Sequence, residues 1–158
     1  MPSPLIGAHA FLGEFAVFAF FWVFVELFNP HPDRIKRIQK IALIGFALLI
    51  LSWIVGGFYY TSIYGAEVKP LIKAGPQPWA HNVFTETKEH VFLFLPFLGL
   101  MVWQLLTFFG ASIVKEKKVR MAIQFLALLI VLIGLSMAGM GYVISTGARA
   151  ALEAGVGI

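Results

Sequence analysis

At 158 residues, with 59% hydrophobic and 13% charged side chains, the chain is too apolar to cover a water-facing surface, for which about 25% charge is usual. Its formal net charge of +4 gathers in short loops between apolar runs, a membrane pattern and not a nucleic-acid surface. The lack of cysteine excludes disulfides, covalently attached c-type haem, thiolate-bound zinc and iron–sulfur clusters.

Four apolar runs, each near the roughly 20 residues that cross a bilayer, predict an all-α integral membrane four-helix bundle built as one domain. Helices are expected at about 6–28, 41–60, 78–109 and 121–144, with a loop at about 61–77. The first run has no basic leader and is too long for a removable signal, so it is expected to stay as helix one. It stops at "NPHPDR", where Asn29 and two prolines end it. Glu26 lies one turn from Arg34, Lys36, Arg37 and Lys40 and is expected to pair with them. His31 reads as a solvated loop residue.

Helix two ends in "GGFYYTSIY". Tyr59, Tyr60 and Tyr64 form an interfacial aromatic belt, while Gly56 and Gly57 open the backbone to a neighbouring helix or a flat cofactor. Pro70, Gly75, Pro76 and Pro78 mark the following segment as a loop with no more than a short helical turn. "PQPW" then starts helix three, whose first turns stand above the hydrocarbon and which Pro96 kinks. Helix four carries Gly134, Ser136, Gly139 and Gly141, the small residues of tight membrane packing, and reads as structural.

Orientation follows from the loops. The short loops holding Arg34 to Lys40 and Lys115 to Arg120 are basic, whereas the middle connection mixes both signs and the N-terminal tail has no Lys or Arg. Both basic loops are therefore expected in the cytoplasm and both termini outside, in a bacterial or archaeal plasma membrane.

Ionisable groups in membrane helices are functional suspects. Here they are Glu14, deep in helix one, and "ETKEH" at residues 86 to 90, with His9 and His81 beside them. His9 precedes Phe28, and His90 precedes Phe109, by about 28 Å at 1.5 Å per residue, so the two histidines match in depth. Two imidazoles at one level are what a bis-histidine haem b requires, and Gly13 would make room for the macrocycle. Glu86, Glu89 and His90 fall within about 100° on one helix face, so a carboxylate could hold the second ring nitrogen or complete a carboxylate–histidine metal site. Glu14 lies about 140° from His9 and is expected to face a proton path, a quinone headgroup or a partner helix. The bland readings are an interfacial His9 and a first-turn acidic bias that stabilises helix three.

His9, "GGFYY", and His81 followed by "KEH" together resemble small four-helix membrane proteins of the b-type cytochrome sort, over roughly Gly7 to Pro96. The resemblance implies one haem b held by His9 and His90, with His81 as substitute, and electron exchange with quinol or a periplasmic cytochrome inside a larger complex. Glu14, Glu86, Glu89, Tyr59 and Tyr60 would then serve as second-shell groups or as a proton or quinone path. Two other readings stand beside it. A lone membrane glutamate looks like the small multidrug-resistance transporters, implying a proton-coupled exporter that uses Glu14. A non-catalytic structural subunit would use these polar residues only for contact.

Overall fold

The computed structural model describes residues 3–156. Four helices among them are long and apolar enough to cross a membrane: Pro4–Glu26, Pro32–Ala74, Ala80–Val114 and Lys117–Glu153. The chain is thus all-helical and multi-pass. Helix α1 spans Pro4–Glu26, and α2 spans Pro32–Tyr59. A π-helical stretch, Tyr60–Val68, carries α2 directly into α3, Lys69–Ala74. The third span begins as a π-helix at Ala80–Thr85 and continues as α4, Glu86–Phe92, and α5, Phe94–Phe109. Helix α6, Lys117–Glu153, closes the bundle.

Local chemistry sets the ends. Ser3 caps α1 through its hydroxyl, 3.3 Å from Leu5 N, with Pro4 in the first turn. His31 is more than a solvated loop residue: it caps α2 by accepting from Asp33 N at 3.4 Å. Glu26 meets Arg37 at 2.6 Å and Arg34 at 3.8 Å, the expected pairing with the basic loop. Helix α5 ends at Gly110, whose φ of +50° suits glycine best. The third span breaks at Leu93, three residues before Pro96. A proline lacks the N–H for the preceding turn and crowds its carbonyl, so the interruption falls there.

Helix α1 packs against α2 and α6, α2 against α5, and α5 against α6. The four spans therefore form a closed ring of antiparallel neighbours. In lipid, close packing replaces the hydrophobic drive, and glycines permit it here. The fully buried Phe20 ring sits in a slot made by Gly45 and Gly99, where an added Cβ would approach it at 2.9 and 3.0 Å. A methyl at Gly134 would run into Val17.

One sequence expectation fails. The segment at 61–77 is a helical collar and not a loop with a short turn: only residues 75–78 separate the second and third spans from regular helix. Tertiary contact overrides the prolines. Ile72, Ala80 and Tyr64 are buried, Gly75 lies against Ala151, and Gly147 against Ala80, so the collar docks on the far end of α6. Pro70 falls where the π-helical run passes into α3, inside one continuous helix, and its ring removes one N–H from the ladder there.

Candidate functional site

The bundle has two unlike ends. The basic loops close one; the chain termini, the collar and α4 surround the other, here called the terminal end. A cavity of about 350 Å³ opens at the terminal end between all four spans, within the range of small-ligand sites. Its walls are mostly apolar, formed by residues such as Ile6, Trp53, Phe92 and Ile144. The polar lining is His9, Lys88 and Glu89, with Tyr59, Tyr60, Thr61, Tyr64 and Thr85 from the collar side and Ser145 from α6.

His9 is held from three directions. Its Nδ1 lies 2.9 Å from the Ser52 carbonyl, which can only accept, so Nδ1 carries the proton and donates. The Ser52 hydroxyl donates to the His9 carbonyl at 3.0 Å and ties the same two helices together. Gly56 makes room for the ring, since a Cβ there would stand 2.6 Å from Nδ1. Phe92 meets the ring edge-on at 6.1 Å. This tautomer leaves Nε2 bare, an acceptor or ligand nitrogen, with no hydrogen-bond partner among the described residues.

Helix α4 supplies the facing wall. Thr85, Lys88, Glu89 and Phe92 follow helical spacing and all line the cavity. Lys88 reaches across to α6, where its Nζ would lie 3.3 Å from a Cβ at Gly141. Glu89 Oε1 is buried and makes no hydrogen bond among the described residues. A buried acceptor left unfilled is costly; the Tyr60 hydroxyl stands beside the carboxyl, and a ligand with a donor group would satisfy the remaining oxygen.

A second polar cluster flanks the cavity and is complete. The Tyr64 hydroxyl stands 3.0 Å from His81 Nδ1 and 2.8 Å from Thr85 Oγ1. His81 Nε2 meets Glu86 Oε1 at 3.4 Å. His81 is 1% exposed and both its nitrogens are engaged, so it locks the collar to α4 and is not a spare ligand.

The sequence expectations divide accordingly. His9, Glu89, Tyr59 and Tyr60 come together at the cavity. His90 does not: it is exposed, with Nδ1 on the Glu86 carbonyl at 2.6 Å. Glu86 turns to His81 instead, so the face expected to unite Glu86, Glu89 and His90 splits three ways. A helix face spanning about 100° is wide enough for its edges to meet different neighbours. No group of three or more His, Asp or Glu among the described residues is placed to hold a metal ion. Gly13 faces the Ser52 hydroxyl, where a Cβ would lie 3.4 Å away, and does not line the cavity. Glu14 points outward from the bundle.

The sequence reading passed over Lys88, Thr85 and the α6 wall of Gly141 and Ser145. A stripe drawn from Phe92 at three- and four-residue spacing would have reached Lys88 and Thr85. No family model, no curated protein and no solved structure matches the chain.

Proposed function

We propose that the chain is a membrane electron-transfer subunit whose terminal-end cavity receives the headgroup of a quinol. By the positive-inside rule that end faces outward from a bacterial or archaeal plasma membrane. The carrying observation is the pair of unfilled acceptors on an apolar cavity, His9 Nε2 and Glu89 Oε1. A quinol offers two hydroxyl donors on a flat, apolar ring, which suits such a lining. Its oxidation releases two protons and two electrons. His9 Nε2 and Glu89 are the groups that accept the protons. The electrons pass to the redox centre of a partner protein, such as a periplasmic cytochrome, within a larger complex.

One b-type haem in the same cavity is the second reading, favoured by one observation. A metal-bound imidazole characteristically donates its other ring N–H to a carbonyl or carboxylate, and His9 Nδ1 does so to Ser52. His9 is the residue of the cavity that would hold such a group. The paired ligand expected at His90 lies outside the cavity. Bound there, haem would supply one-electron transfer. His9 would hold it, and Gly56 and Ser52 would keep the ring oriented.

Two measurements on protein purified in mild detergent decide between them. The quinol reading expects saturable quenching of a fluorescent hydroxyquinoline quinol analogue, weakened in both His9→Ala and Glu89→Gln, with no Soret band in a reduced-minus-oxidised spectrum. A Soret band abolished by His9→Ala establishes the haem reading instead. Absence of both signals, after haem supplementation, defeats both.

A further inference from the structure

Glu14 occupies a position that the cavity does not explain. It lies ten residues from the start of α1 and twelve from its end, or about 15 and 18 Å at 1.5 Å per residue. That is the middle of a hydrocarbon layer of about 30 Å, too deep for its short side chain to reach either surface. The residue is exposed on the outward face, flanked by Phe11 and Phe18, which are 58% and 65% exposed.

Ser136 and Thr107, outward polar groups on other spans, are satisfied within their own helices, and the outward Gln104 lies only five residues from the end of α5, near the membrane surface. Ser136 bonds the Leu132 carbonyl at 2.9 Å, and Thr107 the Trp103 carbonyl at 2.8 Å. Glu14 makes no hydrogen bond among the described residues. Left against lipid, such a carboxyl is strongly unfavourable. The same face continues toward the basic end as a groove between Phe18, Phe21, Trp22 and Val25, floored by Glu26 and Arg34.

We infer that this face of α1 is the interface with a second copy of the chain, closed by a Glu14–Glu14 contact. Two copies related by a two-fold axis along the membrane normal place each residue opposite itself at the same depth. An isolated carboxyl in an apolar face meets that symmetry well, because a carboxylic acid is self-complementary: each donates to the other, or one proton is shared. Polar contacts of this kind join membrane helices. A different subunit would need its own polar group at this depth, whereas a second copy supplies one by construction.

The chain has no cysteine, so single cysteines report the interface directly in proteoliposomes under mild oxidation. Phe11→Cys and Phe18→Cys are expected to give covalent dimers. Phe125→Cys, 65% exposed on α6, is expected to give only collisional background. Glu14→Ala added to Phe11→Cys should lower the yield roughly tenfold, and Glu14→Gln should retain it, since paired amides also bond. Equal yields at Phe11→Cys and Phe125→Cys, or a yield indifferent to Glu14→Ala, overturn the inference. So do crosslinks in native membranes that join only a different protein. Single-molecule photobleaching of the unaltered sequence in nanodiscs is independent of any variant's folding: two copies per particle are expected, and one overturns it.

Discussion

The two ends of the bundle treat polar groups in opposite ways. At the basic end the chain matches its own with opposite charge, and Glu26 Oε2, buried without a hydrogen bond, still has the Arg34 guanidinium at 3.8 Å. Glu26 is held by Arg37, Arg34 and the Trp22 indole at 3.1 Å. Arg120 covers the carbonyls of Ile113 and Val114, and Gln39 bonds the Leu106 carbonyl. Beneath them Leu27, Ile35, Ile38, Leu106, Ile113 and Ile123 are fully buried. At the terminal end, one cluster (Tyr64, His81, Thr85) is satisfied, while beside it His9 Nε2 and Glu89 Oε1 face an open cavity. A membrane bundle gains nothing from leaving acceptors bare, so the contrast separates the end that holds the fold from the end that holds something else.

The sharpest way to break this comparison is His9→Ala. Removing an acceptor that meets a ligand hydroxyl should weaken binding of the quinol analogue by about 10- to 100-fold, the range of a hydrogen bond to a charged or strongly polar group. Fluorescence titration measures it, and unchanged affinity would place the ligand elsewhere. Gly56→Val comes next, because its Cβ must displace the His9 ring. It should cost about 1–3 kcal/mol of stability and reduce analogue binding with it, read by thermal unfolding in detergent beside the same titration. Tyr64→Phe removes the hydroxyl between His81 and Thr85 and leaves their buried polar groups without it. A loss of about 1–3 kcal/mol is expected, with binding weakened only as far as the collar loosens. Glu26→Gln is the control from the other end. It should cost about 1 kcal/mol or less and leave analogue affinity unaltered; a change in affinity would mean the two ends are coupled.

The spans, the Glu26 pairing and the Pro96 interruption were legible because each rests on local rules: apolar run length, charge beside a helix end, and a missing N–H. What the sequence did not disclose was rotation. Depth says nothing of which way a side chain turns, so of the two histidines expected at one level only His9 lines the cavity, while His90 is exposed. The collar was hidden for another reason. Prolines at 70, 76 and 78 argue for a loop, and only contact with α6 through Gly75, Ala80 and Ile72 makes helix the better state there. Lys88 and Thr85 were missed because a cavity joining four spans is a product of tertiary packing.

The π-helical run from Tyr60 to Val68 has a genetic consequence. A π-turn holds one residue more than the α-turn it replaces. Losing a single codon between Tyr60 and Tyr64 would therefore let the run relax to ordinary helix while Tyr64 keeps nearly its present direction, because the deletion removes the extra residue that the wider turn holds. The collar would remain helical with the Tyr64 hydroxyl still turned toward His81. A single deletion in the ordinary helix of α2 would instead rotate everything beyond it by about 100°, so the wide turn is where this span can best lose a residue.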